Sequence, residues 1–303
     1  MAPEKEIGRM PCQNNRIYKT SVLFRFSICW VIIIICAALS ADFMELPDVG
    51  AIDWNHQAAP PGCRGTIVVK AFNGKTVVKD YVYLCGTDPL GRDILTRLIF
   101  GARVSLMVGF GAPAGALIIG GVIGLLAGYY RGSFETVTSA GMDIILAFPG
   151  LVLLLFLVFY FGPGIEKMIP ALSILITPAF FRVTRANTLS MARRDFILSA
   201  KAVGAGDMRI IFSHLLPNVA VPVIAYAFLI VSIMIVAEGA MSFMGLGVIP
   251  PTPSWGGMIA EGKELLEQAP HITLIPAVVM FLTVFSFNLI GDTLRNLYDG
   301  MME

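Results

Sequence analysis

VSLMVGFGAPAGALIIGGVIGLLAGYY, residues 104–130, carries no charged side chain over 27 positions. At about 1.5 Å of rise per residue it is longer than the ~30 Å hydrocarbon core of a bilayer, whereas a helix buried in a soluble core needs roughly 10–14 apolar residues. The run reads as a membrane span. The rest of the chain agrees, with 56% of its 303 residues hydrophobic and 14% charged, against about 25% charged in an ordinary soluble domain. Together with a mean hydropathy of +0.76, these values exclude a soluble single-core protein and a disordered chain. Five cysteines without a CxxC spacing exclude a disulfide scaffold and supply no zinc motif, and a net charge of +1 offers no general attraction to nucleic acid.

Outward from this run, five more segments read as spans. Val22 to Ala41 is interrupted only by Arg25, whose guanidinium can snorkel to the headgroups. No small-residue cleavage site follows it, so it is expected to be a retained first span rather than a signal peptide. Ile144 to Ile165 and Leu215 to Ala237 make spans three and five, and Ile272 to Ile290 makes span six. Met168 to Phe181 offers only 14 uncharged residues and has to continue through Arg182 and Arg185 to cross as span four.

An even number of spans places both ends on one side, and the Lys/Arg distribution decides which. The N-terminal segment holds Lys5, Arg9, Arg16, Lys19 and Arg25, and the segment after span four holds Arg182, Arg185, Arg193, Arg194, Lys201 and Arg209, while the short opposite loops hold only Lys167 and Lys263. Both termini are therefore expected in the cytoplasm. The expected organisation is a cytoplasmic tail (1–21), a first transmembrane helix (22–41), an extracytoplasmic segment (42–103), a transmembrane core (104–294) with a cytoplasmic loop (189–214), and a C-terminal tail (295–303).

The extracytoplasmic segment turns polar, and Pro47, Pro60, Pro61 and Gly62 break any helix before a β-branched run. Thr66 to Phe72 and Lys75 to Leu84 flank Asn73-Gly74, which suits a two-residue type I′ hairpin pairing Cys63 with Leu84; an irregular surface loop is the alternative. Cys63 and Cys85 lie on the oxidising side, so a disulfide between them and two unrelated thiols are both open readings.

Two polar motifs border the spans. Gly86-Thr87-Asp88-Pro89-Leu90-Gly91-Arg92-Asp93 reads as a turn leading into a helix capped by Asp93. Between spans four and five, Phe196, Ala200 and Val203 share a helix face, Gly204 can stop that helix, and Asp207 can cap a second short one running to Pro217. After span five, Pro250, Pro251 and Pro253 force a rigid turn, with Trp255 placed to sit among headgroups. Asp292 and Arg295 are spaced to pair at the end of span six. Asp143 and Glu238 can line a pathway, with a helix-end carboxylate reaching water the better default.

GTDPLGRDILTRLIFGARVSL (86–106) resembles the opening of the transmembrane domain in the C-type subunit of the permease pair of ABC importers for dipeptides, oligopeptides and nickel. The segment Leu198, Ser199, Ala200, Val203, Gly204, Ala205, Gly206, Asp207 is similar to the loop by which such permeases dock on an ATPase. The family has a Glu and two Ala before the Gly where this chain has Leu198, Ser199 and Ala200. EGAMSFMGLG (238–247), PPTPSWG (250–256) and FNLIGDTLR (287–295) extend the likeness.

The resemblance implies an all-α polytopic membrane protein, six transmembrane helices of the type I ABC importer permease kind with a small extracytoplasmic insertion, in the inner membrane of a bacterium. It further implies a second homologous permease, two cytoplasmic ABC ATPase subunits and an extracytoplasmic solute-binding protein as partners. The chain has no GxxxxGK[ST] loop, so ATP and Mg are expected on the ATPase subunits and no cofactor, metal or catalytic residue on this one. Peptide is the favoured cargo. Nickel is the runner-up, with only His56, Cys63 and Cys85 as soft ligands outside the membrane. A self-sufficient transporter or channel would need discontinuous spans, for which only Gly109, Gly111 and Pro113 speak. For a membrane enzyme no nucleophile and base pair can be named.

Overall fold

The computed structural model describes residues 12–70, 76–162 and 164–302. Helix α1 (Cys12–Ser40) and the 3-10 turn that continues it (Ala41–Phe43) carry the first span. Span two is one column of 37 residues, Ile94–Tyr130, made of α2 (Ile94–Ala116), a π-helical turn (Leu117–Gly121) and α3 (Val122–Tyr130). Pro113 has no amide hydrogen to donate inside α2, and the widened turn follows directly. The column is too long for the hydrocarbon alone, so its ends stand outside it.

Span three departs from the expectation of one clean helix. Helices α4 (Gly132–Ala147) and α5 (Gly150–Phe161) meet at 87°. Phe148 adopts an extended backbone because Pro149 disfavours the helical region for its predecessor, and no amide of Pro149 can carry the ladder across. Apolarity continues through this break while the helix does not.

Helix α6 (Ile165–Met191) includes Arg182 and Arg185, as span four requires. Both arginines are held by α4: Arg182 Nη2 lies 2.8 Å from Asp143 Oδ1 and Arg185 Nε lies 2.7 Å from Glu135 Oε1. Asp143 is exposed but lies within α4 rather than at its end. Gly120, Gly124 and Gly128 bring α3 and its π turn against the α6 backbone. A Cβ at Gly120 would overlap the Thr177 carbonyl, and one at Gly124 or Gly128 would sit 2.6 Å from Phe181 O or 2.7 Å from Thr188 Cβ. Lipid supplies no hydrophobic drive between helices, so such close packing is what holds them.

After α7 (Asp195–Ala202), the second short helix expected there is absent as a separate unit. Helix α8 (Asp207–Arg209) runs through a π turn (Ile210–Leu215) into α9 (Leu216–Phe243), one column from Asp207 to Phe243. Helices α10 (Trp255–Gly262) and α11 (His271–Met302) complete the bundle. Among the described residues five columns are long and apolar enough to cross a bilayer, and the bent pair brings this to six. Val108, Ala112, Leu172, Phe180, Val219 and Val223 fill the space between spans two, four and five. On the other side, α1 and α11 close around Trp255 through Ala38 and Phe287. Trp255 is thus fully buried within the bundle rather than turned out towards headgroups, its indole nitrogen donating to Leu98 O at 3.0 Å.

The outer segment does form a hairpin, β1 (Cys63–Lys70) antiparallel to β2 (Thr76–Tyr83). Its register is one residue off the two-residue expectation. Cys63 faces Tyr83 and Lys70 faces Thr76, which leaves five residues between the strands; Asn73-Gly74 lies outside the described residues. Cys63 and Cys85 are free thiols, which corrects the disulfide reading. Cys63 packs with Ile67 and Tyr83, whereas Cys85 lies past the strand end and packs with Ile94 and Met258. Burial pushes both thiols up from their ordinary range.

Candidate functional site

The motif before span two folds into a turn that Asp88 organises. Its Oδ1 accepts from the amides of Leu90 and Arg92, both at 2.9 Å, and its own amide donates to Arg92 O at 2.9 Å. Gly91 has φ +78°, and a side chain there would overlap the Asp53 carbonyl. Thr87 Oγ1 accepts from Ala59 N at 2.8 Å and donates to His56 O, while the Gly86 amide donates to Tyr83 O, stitching the turn to the outer segment. Asp93 caps α2 as expected, Oδ2 accepting from Thr96 N at 2.9 Å and Thr96 Oγ1 at 2.6 Å, with Tyr81 OH at 3.3 Å. Burial pushes the Asp93 carboxyl up and outweighs its hydrogen bonds, which come from the neutral groups of Thr96, Tyr81 and the Leu95 amide.

Two residues that sequence reading left out complete this turn. Arg97, one turn into α2, places Nη1 2.7 Å from Asp88 Oδ2, and Arg92 Nε lies 2.6 Å from the same oxygen. Glu261 of α10 accepts from both arginines, 2.7 Å from Arg92 Nη2 and 2.9 Å from Arg97 Nη2. Two acids and two bases form a neutral quartet with Asp88, Arg92 and Arg97 buried, so each charge has a partner that offsets its lost hydration. The quartet fastens the entry to span two onto the segment between spans five and six.

Glu238 corrects a further expectation. It does not reach water but is fully buried in α9. Its Oε1 accepts from Ser242 Oγ at 2.7 Å and its Oε2 from Ser105 Oγ at 3.2 Å, and Ser105 Oγ in turn accepts from the Trp255 amide at 3.3 Å. The node joins α2, α9 and α10 through the Glu238 carboxylate, two serine hydroxyls and the Trp255 amide.

At the opposite end, α7 stops in a Schellman turn. Gly204 has φ +86° and its amide donates to Lys201 O at 2.9 Å, while Ala205 N donates to Ala200 O at 3.0 Å. Ile197 is fully buried and pins α7 to the bundle, with Ile210 and Ile211 beside it. The face predicted from Phe196, Ala200 and Val203 is the outward one: Val203 is 90% exposed, Phe196 is exposed and Ala200 is half-buried. Leu198, Met208 and Phe212 are exposed as well, Ser199 and Gly206 are exposed, and Ala205 is half-buried. Among the described residues, nothing beyond the adjacent residues lies within 4 Å of a Cβ built on Gly204 or Gly206. Asp207 does not cap a helix with its side chain; Gly206 holds the cap position, and Asp207 Oδ1 instead accepts from Tyr129 OH at 2.6 Å.

Comparison with known proteins agrees with this architecture. Residues 120–302 match the family model described as binding-protein-dependent transport system inner membrane component. The chain is 42% identical over 218 residues to the dipeptide transport system permease protein DppC of Alkalihalophilus pseudofirmus, covering 72% of each chain. It is 41% identical over 221 residues to the di/tripeptide transport system permease protein DppC of Pseudomonas aeruginosa, covering 73% of each. The glutathione transport system permease protein GsiD of Pectobacterium atrosepticum is 38% identical over 218 residues, again 72% of each. Among solved structures, the inward-facing MetNI methionine ABC transporter superposes with a TM-score of 0.57 at 18% identity, covering 68% of this chain and 97% of that one, a likeness of fold.

Proposed function

We propose, from the premise that this chain belongs to the family of binding-protein-dependent transport system inner membrane components, that it forms half of the transmembrane pathway of an ATP-driven importer of di- and oligopeptides. The observation that carries the reading is the Gly204 turn, around which the apolar side chains of Phe196, Leu198, Val203, Met208 and Phe212 are exposed. Exposed apolar side chains gathered at a turn fit a protein partner. Its partner is a cytoplasmic ATPase, two of which hydrolyse ATP with Mg and move this turn. A second homologous permease supplies the other half of the pathway, and an extracytoplasmic solute-binding protein delivers the cargo. Both termini then lie in the cytoplasm, in keeping with the arginines around the turn. The names of the dipeptide, di/tripeptide and glutathione relatives support a short peptide as cargo.

Uptake of a labelled dipeptide into proteoliposomes tests the reading. The complete set of permeases, ATPases and binding protein should transport with ATP, and this chain alone should not. Transport by the chain alone would make it a self-sufficient carrier.

A further inference from the structure

Tyr129 stands at the end of α3, where the chain breaks into the left-handed pair Arg131 (φ +55°) and Gly132 (φ +61°) before α4. Its side chain reaches both arms of the Gly204 turn. The hydroxyl donates to Asp207 Oδ1 at 2.6 Å on the far arm, and the Lys201 ammonium of the near arm lies 4.8 Å above the ring centroid. The ring also meets Tyr130 edge-on with centroids 5.1 Å apart. Tyr129 is presented from a rigid platform, since the preceding Gly128 leaves no room for a Cβ between α3 and Thr188 of α6.

We infer that Tyr129 is a positioning residue that carries movement of the Gly204 turn into span two and the Arg131-Gly132 bend. The turn joins α6 and α9 in sequence and is anchored by buried Ile197; Tyr129 adds a polar link to α3. With it, a displacement of either arm also pulls on a non-adjacent column, and through the bend on α4. The bond to Asp207 is exposed and therefore adds little to stability. Its contribution is directional: one side chain holds both arms of the turn in a fixed relation to α3.

The inference rests on the reading that the turn docks on an ATPase, and the two are tested separately. In the complete transporter a cysteine replacing Val203 is first cross-linked; a product containing the ATPase subunit upholds docking, and its absence removes both claims. The complete complex carrying Tyr129→Phe is then assayed for ATP hydrolysis with and without the native binding protein purified together with its bound solute. Tyr129→Phe keeps the ring over Lys201 and loses the bond to Asp207. ATPase subunits should co-purify at parental levels, while stimulation by the loaded binding protein should fall severalfold. Asp207→Asn, which retains an accepting oxygen, should stay within twofold of the parent, and Asp207→Ala should behave like Tyr129→Phe. Parental stimulation in both Tyr129→Phe and Asp207→Ala, with the Val203 cross-link intact, would overturn the role of Tyr129 and leave docking standing.

Discussion

Arg92 Nη2 lies 2.7 Å from Glu261 Oε2, a side chain 169 residues later in the chain. The contact sits outside the spans and is shared with Arg97 and Asp88, so two guanidinium groups and two carboxylates close into one neutral cluster. The motif before span two is thereby tied to α10.

Removing one member of this cluster leaves the others unbalanced. Glu261→Ala strands the Arg92 and Arg97 charges in a buried setting, and breaking a buried ion pair costs about 3–5 kcal/mol. Glu261 is 31% exposed, so water can enter and the lower end, about 3 kcal/mol, is expected. The melting temperature of the detergent-solubilised protein checks this. A change within error would mean that water replaces Glu261 without penalty.

Asp93 makes stability depend on pH. Burial holds its folded value above the ordinary 3.8, outweighing the hydrogen bonds from Thr96 and Tyr81. The folded state then binds a proton where the unfolded state has already lost it. Between about pH 4 and the raised folded value, this group's contribution falls as pH rises, and below about pH 4 it is flat. The melting temperature of the parent minus that of Asp93→Asn should therefore decline with pH across this window. A difference that climbs with pH would contradict the neutral surroundings of Asp93.

Gly256 in α10 meets Gly239 in α9 backbone to backbone, and a Cβ at Gly256 would overlap Gly239 Cα. No flexible side chain is there to give way. Gly256→Ala should cost about 1–3 kcal/mol, the range for overpacking a tight contact. A melting temperature equal to the parent's would show that α10 can shift outward freely.

Gly204→Asp adds a charge and a left-handed non-glycine residue to the exposed turn. Val203→Asp adds the charge alone, at a site 90% open to solvent. If docking loses only about 1.4 kcal/mol in each, ATPase association falls tenfold while membrane insertion stays normal. Pull-down of the ATPase subunits reads the result. Parental binding by both variants would move the contact elsewhere.

Sidedness follows from the same placement. Ser190 and Thr252 are both exposed, on opposite ends of the bundle. In a background with the native cysteines replaced, Ser190→Cys should be shielded from an impermeant thiol reagent in intact cells, and Thr252→Cys should react. The reverse pattern would invert the orientation.

The sequence by itself determined the place of five apolar columns and the stop at Gly204. Each depends on residues close together in the chain: an uncharged run long enough for a bilayer, and a glycine at the position that needs positive φ. The repeat Gly120, Gly124, Gly128 went unread in the sequence, although every fourth residue lies on one side of a helix and the structure packs that side against α6. Only the tertiary structure decided that Arg97 and Glu261 complete the cluster of Asp88 and Arg92, that Glu238 is sealed among Ser105 and Ser242, and that α4 meets α5 at 87°. Hydropathy sums what neighbouring residues prefer. A buried charge is set by which distant column faces it, and the angle at Pro149 by how Arg182 and Arg185 hold α4 while α6 holds α5.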